Sequence, residues 1–172
     1  KEHTQKAMRL NDDLIDLEME KIEAILDKIK SDPETEDVKR TELDLWEKIK
    51  KKSLGGRRTG LGITAEGDML AALGMRYGSE KAIDFAVEVQ QNLAVEAYRS
   101  SVNMASERGA FPIYDTKREE NNPMIDRIRT VDPELYALMA KVGRRNISLL
   151  TIAPTGTTSL MTQTTSGIEP VF

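Results

Sequence analysis

Residues 144–170 read RRNISLLTIAPTGTTSLMTQTTSGIEP, and this stretch decides how the whole chain is interpreted. An apolar, β-branched run over residues 147–152 stops at Ala153-Pro154, and five small residues follow at 155–159. This order predicts a buried strand, then a hydroxyl-rich loop around a glycine, then a helix start. Free N–H groups and hydroxyls in such a loop can hold an anion. The stretch therefore predicts a phosphate-binding loop, and a threonine-rich surface loop that only caps a helix is the alternative.

The rest of the chain shows mainly helical spacing of its apolar residues. A long helix is predicted over residues 2–30. Proline, serine or glycine signals predict that further helices begin near Pro33, Ala65, Ser79, Pro123 and Pro133. Extended pieces are predicted over residues 60–63 and 111–114, and short strands over residues 147–152 and 168–172. Short apolar strands among helices are typical of buried parallel strands, so we predict an α/β, helix-rich fold that is part of an α/β barrel.

A chain of 172 residues is long enough for one hydrophobic core. We predict a single partial domain over residues 1–172. Within it we expect a helical hairpin over residues 1–54, helices with short extended pieces over residues 55–143, and a strand, the phosphate loop and a second strand over residues 144–172.

Composition excludes several classes of function. The formal net charge is −4, so the chain has no overall attraction for nucleic acid, and any anion site must be local. There is no cysteine, which excludes disulfides and thiolate metal sites. No run of 18 apolar residues and no signal peptide is visible in the sequence, which predicts a cytoplasmic protein without a membrane partner.

A second glycine pattern, Gly60-x-Gly62-x-x-Ala65, fits a loosened dinucleotide-binding fingerprint. The preceding residues 50–58 are basic and glycine-rich, where that fold requires a buried strand. We therefore interpret the glycines as a tight packing contact between a strand and a helix. The basic run is interpreted as cations at a helix C-terminus, where they complement the helix dipole.

The acids of the first helix raise the question of a metal site. They are Asp12, Asp13, Asp16, Glu18, Glu20 and Glu23. The single histidine, His3, has no glutamate partner at the spacing that di-iron bundles use. We therefore interpret the acids as a solvated helix face and predict no metal ligand. Arg57 and Arg58 are given a structural role, pairing with acids of the fold.

Four groups of residues resemble one protein family. The sequence APTGTTS at 153–159, followed by SGIEP at 166–170, resembles the substrate-diphosphate loop of the large, catalytic subunit of ribonucleotide reductase. The stretch RRTGLGIT at 57–64 is similar to the adenosylcobalamin-dependent, class II branch of that family. The same holds for AYRSS at 97–101 and ERGAFP at 107–112.

This resemblance implies a site and a fold. It implies that the ribonucleotide diphosphate is held by Pro154, Thr155, Gly156, Thr157 and Thr158. It also implies that the chain is a fragment from the C-terminal half of a ten-stranded α/β barrel, because the family's catalytic subunits are several times longer. The family's catalytic glutamate lies in an Asn-x-Cys-x-Glu motif that is absent here. Glu169 is therefore read as structural, and no residue of this chain is predicted to be catalytic.

The resemblance also implies an activity for the full-length protein. Such an enzyme converts ribonucleotides to deoxyribonucleotides by a radical mechanism with adenosylcobalamin as cofactor. The implied partners are the ribonucleotide, the remainder of the catalytic subunit and a thioredoxin-type reductant, and a homodimer is left open. Without cysteine, the isolated segment is expected to be inactive. The alternatives are a catalytically inactive helical phosphate-binding or interaction module derived from the same fold, and a reductase of the di-iron-partnered class.

Overall fold

The computed structural model describes residues 1–171, and most of them are helical. The helices are α1 (Glu2–Ser31), α2 (Glu36–Gly56), α3 (Glu66–Ala72), α4 (Glu80–Arg108), α5 (Pro123–Val131), α6 (Pro133–Val142) and α7 (Gly156–Thr162). A short 3₁₀ helix, Thr116–Glu119, precedes α5. Among residues 1–171, no helix is both long and apolar enough to cross a membrane.

Helices α1 and α2 form an antiparallel pair with a small core of their own. The buried residues Met19, Ile22 and Leu26 of α1 pack against Leu43, Trp46, Ile49 and Leu54. The predicted first helix is confirmed. The second begins at Glu36 rather than at Pro33 and continues through both glycines that were expected to break it. It ends where Arg57 adopts a left-handed conformation with φ 45°.

The main core lies where α4 meets the first half of α1 and the α5–α6 pair. Its buried members are Met8, Ala97, Tyr98, Val102, Met104, Ile125, Ile128, Leu135, Met139 and Leu149. The helix starts predicted at Ser79 and Pro123 are confirmed, and both have side-chain caps. Ser79 Oγ accepts from Ala82 N–H at 3.3 Å, and Asn122 Oδ1 accepts from Met124 N–H at 3.0 Å. Each cap satisfies a backbone donor that has no partner inside the helix.

The predicted α/β barrel is wrong for this chain. Within residues 1–171 there is no β-strand and no sheet, only a single parallel bridge between Leu61 and Leu150. The apolar run 147–152 is extended but not part of a ladder. The segment 168–171 begins in a turn, and Phe172 of that predicted strand lies outside the described residues. The predicted extended piece at 111–114 is also a turn.

The physical reason is that a strand needs hydrogen-bonded neighbours. The run 147–152 meets one extended partner, residues 59–61. Thr59 N–H donates to Ser148 O at 2.9 Å, and Leu61 N–H donates to Leu149 O at 2.7 Å. Parallel strands are stable when both faces and both edges are covered, and two short segments cannot provide that.

An open apolar groove of about 840 Å³ runs beside this extended segment. Its lining includes Ile83 and Val87 of α4, Val131 of α5, and Leu150 and Ile152. Ile83 is 54% exposed and Val87 is 59% exposed, so the groove presents hydrocarbon to solvent. Helix α4 therefore contributes to the core mainly along its second half, and Ala82 is the one buried residue of its first half.

Gly62 is where the two extended segments approach most closely. A Cβ on Gly62 would clash with the backbone oxygen of Thr151, and one on Gly60 would lie 3.0 Å from the Thr151 side chain. The predicted close packing is therefore present, but it joins two extended segments rather than a strand and a helix. Only glycine allows this distance between the backbones.

We expect Gly62→Ala to lower the free energy of unfolding by about 1–3 kcal/mol, because the clashing atom belongs to the backbone and cannot rotate away. Urea unfolding followed by far-ultraviolet circular dichroism measures this difference. Gly156→Ala is the matched control, since a Cβ there meets nothing within 4 Å. Equal stability of the two variants would contradict the close approach.

Candidate functional site

The predicted phosphate loop joins the extended segment to α7, and its last three residues form the first turn of that helix. Pro154, Gly156, Thr157 and Thr158 are exposed, whereas Thr155 is half-buried. Thr155 precedes α7 in a left-handed conformation with φ 52° and ψ 25°. A β-branched residue rarely adopts this conformation, and it persists only where the surrounding contacts hold it.

The Thr155 side chain turns inward and joins a cluster of hydroxyl groups. Its Oγ1 lies 3.1 Å from Thr64 Oγ1 and accepts from Gly167 N–H at 2.7 Å. Thr64 Oγ1 donates to Thr165 O at 3.0 Å. Because a hydroxyl has one hydrogen, the hydrogen between the two threonines must come from Thr155. The Thr155 hydroxyl therefore has no hydrogen left for a ligand.

Residues 164–169 return beside the start of α3 and fix the far side of the loop. Thr165 N–H donates to Asp68 Oδ2 at 2.7 Å, and Asp68 N–H donates to Thr165 Oγ1 at 3.3 Å. Gly67 lies so close that a Cβ there would be 2.5 Å from Glu169 O. Glu169 itself is exposed.

The first turn of α7 is fastened in the same way. The buried Ser159 donates to Gly156 O at 2.8 Å, and its Oγ lies 2.8 Å from Ser166 Oγ. With the Ser159 hydrogen committed to Gly156, Ser166 is the donor of that second bond. The buried hydroxyls hold the loop, and those of Thr157 and Thr158 face solvent.

The sequence predicted the five residues 154–158 as one contiguous site, and the structure divides them between surface and interior. It also reveals supporting residues that sequence reasoning missed: Thr64, Asp68 and Thr165. Each contacts a partner more than ninety residues away along the chain. The small polar residues around 164–166 were a signal, but the pairing requires knowledge of the fold.

A second polar cluster lies in the interior, centred on Asp12. This carboxylate is fully buried, and its Oδ1 accepts from Arg57 Nε at 2.8 Å and from Asn146 Nδ2 at 2.9 Å. Arg57 also donates to Asp16 Oδ1 at 2.8 Å. Asn146 accepts from Ser101 Oγ of α4 at 2.9 Å. The cluster joins α1, the end of α2, α4 and the segment before the loop.

The Asp12 cluster corrects one prediction and confirms another. Asp12 was assigned to a solvated helix face and is instead inside the protein. The structural role predicted for Arg57, pairing with acids, is confirmed, whereas Arg58 is exposed and pairs with no acid among the described residues. The carboxylates of Asp12, Asp13 and Asp16 lie within 4.8 Å of one another, but arginines bind them. Their charge is neutralised by the protein's own cations.

Burial by itself would raise the pKa of the Asp12 carboxyl. Hydrogen bonds from Arg57 and Asn146, together with the charges of Arg57 and Arg145, outweigh that effect and hold the pKa below its ordinary value of 3.8. A folded-state pKa below the unfolded value stabilises the fold at pH above the unfolded pKa. That stabilisation is lost as the pH falls through the folded-state value.

Arg144 is a second buried cation, 3% exposed. Its guanidinium carbon lies 5.5–5.8 Å from the ring centres of Tyr98, Phe111 and Tyr114. Nη2 donates to Glu119 Oε1 at 2.9 Å, whereas Nη1 makes no hydrogen bond to the described residues. Arg144 thereby holds the turn at 111–114 against α4 through cation–π contacts.

The chain is similar to ribonucleotide reductases over most of its length. The family model of the ribonucleotide reductase barrel domain matches residues 35–172. The vitamin B12-dependent ribonucleoside-diphosphate reductase of Mycobacterium tuberculosis is 37% identical over 117 residues, which cover 67% of this chain and 14% of that protein. The enzyme of the same name from Thermoplasma acidophilum is 32% identical over 127 residues, covering 73% and 14%.

A relative with a different name matches nearly as well. The ribonucleoside-diphosphate reductase subunit alpha of Chlamydia pneumoniae is 30% identical over 142 residues, covering 72% of this chain and 14% of that protein. The chain therefore spans 14% of the length of these relatives.

Removing the Asp12 carboxylate is expected to be severe. We expect Asp12→Ala to lower the free energy of unfolding by about 3–5 kcal/mol, because Arg57 and Asn146 lose a buried partner. Asp13→Ala is the matched control, since the Asp13 side chain is 47% exposed and its pair with Arg108 is worth at most about 1 kcal/mol. Urea unfolding at neutral pH compares the two, and similar losses would contradict a special role for Asp12.

The pH dependence gives a separate test of the lowered pKa. We expect the native protein to exceed Asp12→Asn in free energy of unfolding by the largest amount at neutral pH. This difference should decrease as the pH falls below 3.8. Urea unfolding of both proteins across this range measures the gap. A gap that widens on acidification would contradict the sign of the shift.

Proposed function

The chain belongs to the ribonucleotide reductase barrel-domain family, and we propose that it is part of the large subunit of a ribonucleoside-diphosphate reductase. The observation that carries this proposal is a family match over residues 35–172, which includes the whole phosphate loop. The full-length enzyme would replace the ribose 2′-hydroxyl of a ribonucleotide with hydrogen. That activity belongs to a polypeptide of which this chain is the equivalent of 14%.

The part we assign to this chain is to bind the substrate's diphosphate at residues 154–158. The exposed position of Gly156, Thr157 and Thr158 on a firmly held base supports this role. Hydroxyl and backbone N–H groups would donate to the phosphate oxygens, and hydrogen bonds to charged groups contribute about 1.5–3 kcal/mol each. Thr155 would contribute its backbone only, because its hydroxyl donates to Thr64.

The radical chemistry lies outside this chain in our proposal. With no cysteine, the segment can supply neither a thiyl radical nor a reducing thiol pair, so alone it would be inactive. Its contribution is to fix one end of the substrate, which lowers the entropic cost of reaching the reactive geometry. The thioredoxin-type reductant, the homodimer and the cytoplasmic location stay predictions.

Adenosylcobalamin, when bound to the full-length enzyme, would supply the initiating radical. The residues of this chain do not fit a site for it. The one imidazole, His3, is exposed at the start of α1, and the groove beside Leu150 is mostly hydrocarbon, whereas a corrin ring carries many amide groups. We therefore place no cobalamin contact on this chain.

Relatives of two kinds match, and we propose the B12-dependent kind. Support comes from the identities, which are 37% and 32% for the two B12-dependent enzymes and 30% for the subunit alpha. We expect the full-length polypeptide to reduce ribonucleoside diphosphates when adenosylcobalamin is added, without a second protein subunit. Turnover measured with and without the cofactor tests this. Activity that requires a di-iron partner subunit instead would contradict the assignment.

Gly156→Val tests the binding site itself. We expect it to weaken binding of cytidine diphosphate by at least about tenfold, because the new side chain would occupy the space through which a phosphate approaches the loop. The fold should not change, since a Cβ on Gly156 meets nothing within 4 Å. Amide shifts of residues 156–158 during a nuclear magnetic resonance titration of the 172-residue chain measure the affinity.

The control for this titration is Thr162→Val. Thr162 lies in the last turn of α7 and donates to Thr158 O at 3.0 Å, so the variant loses a hydroxyl from the same helix but not from the loop. It should bind like the native chain. Unchanged affinity in Gly156→Val would remove residues 154–158 as the diphosphate site.

A further inference from the structure

We infer that Thr64 is a positioning residue for the phosphate loop. Its hydroxyl holds Thr155 in the left-handed conformation from which Gly156, Thr157 and Thr158 face the substrate. This inference rests on the proposed function of the loop, and it adds a residue outside the loop that determines how well the loop binds.

The Thr64 hydroxyl makes as many hydrogen bonds as a hydroxyl can, one as donor and two as acceptor. It donates to Thr165 O at 3.0 Å and accepts from Gly167 N–H at 3.2 Å and from the Thr155 hydroxyl at 3.1 Å. A hydroxyl has one hydrogen and two acceptor sites, so the three contacts saturate it. The Thr64 oxygen thus connects Thr155 of the loop to the backbone of Thr165 and Gly167 in the closing segment.

The backbone of Thr155 is strained, so a contact is needed to keep it in its observed conformation. Without such a contact, a β-branched residue favours the extended region of the backbone over the left-handed conformation of Thr155, with φ 52°. The only side-chain acceptor that Thr155 Oγ1 meets among residues 1–171 is Thr64 Oγ1. Without that acceptor, Thr155 can relax toward extended backbone, and the relaxation would rotate the N–H groups of Gly156 and Thr157 away from a common point.

Thr64 can act as an anchor because its own backbone is fixed on both sides. Before it, Gly62 lies against the backbone of Thr151. After it, Ala65 N–H donates to Thr165 O at 3.1 Å. The start of α3 is held independently by the Asp68 pair with Thr165. Loss of the Thr64 hydroxyl should therefore disturb the loop and leave the fold intact.

The experiment is a titration of the 172-residue chain with inorganic pyrophosphate, followed by the amide signals of residues 156–158. We expect Thr64→Val to weaken binding roughly tenfold, the usual size of one lost hydrogen bond, and to keep the native circular dichroism spectrum. Thr64→Ser, which restores the hydroxyl, should bind like the native chain. Thr162→Val should also bind normally.

A double-mutant cycle separates positioning from a general loss of stability. Thr155→Val removes the same hydrogen bond from its other end. Thr64→Val also removes the hydrogen bonds to Thr165 O and Gly167 N–H. The two variants share the loss of the Thr64–Thr155 bond, so Thr64→Val should weaken binding less in a Thr155→Val background than in the native chain. Should Thr64→Val fail to fold, Thr155→Val alone serves as the test, and normal pyrophosphate binding by it would overturn the inference.

The outcomes distinguish this inference from the proposed function. If the native chain does not bind pyrophosphate, the proposed site is wrong and the inference falls with it. If the native chain binds and Thr64→Val binds equally well, only the inference is overturned. Losses that add up in the double variant, or a Thr64→Ser variant as weak as Thr64→Val, would also overturn it.

Discussion

The buried carboxylate of Asp12 holds Arg57 and Asn146 together, and the position of the loop depends on this contact. Arg57 and Asn146 each stand at the start of one of the two extended segments, and Asn146 Nδ2 also donates to Arg57 O at 3.1 Å. The contact therefore sets the register in which the segments run side by side. With that register fixed, Thr64 and Thr155 arrive opposite each other. A buried ion pair here determines geometry more than it adds net stability, since burial of charge is costly by itself.

Stability and the proposed anion binding rely on different chemistry in this chain. The interior is fixed by charged groups: Asp12 and Arg57 form a buried ion pair, and Arg144 lies among aromatic rings. The loop itself is fixed by neutral hydroxyls, the Asp68 carboxylate binds only the closing segment, and the outward residues of the loop carry no charge. A preorganised loop without charged side chains can bind an anion without electrostatic repulsion from a carboxylate of its own. The nearest acid of the closing segment, Glu169, is exposed and contributes its backbone.

Local signals in the sequence were sufficient for the helices and insufficient for everything that depends on a distant partner. Ser79 and Asn122 cap helices through residues two or three positions away, so their roles could be predicted. Asp12 looks like any acid of an exposed helix face until Arg57 and Asn146 are placed beside it. The run 147–152 has the composition of a strand, but composition cannot supply the neighbours that a ladder needs. The loop residues were identified by resemblance, and the inward turn of Thr155 was not foreseen because Thr64 is 91 positions away.

The span of the Asp12 contact has a consequence for synthesis. Asn146 follows Asp12 by 134 residues. At translation rates of about 5–20 residues per second, roughly 7–27 seconds separate the synthesis of Asp12 from that of its partner amide. During that time α1 and α2 can pair through their own small core and Arg57 can reach Asp12, but Asn146 is not yet available. The complete Asp12 cluster therefore forms only after the segment just before the loop has been synthesised.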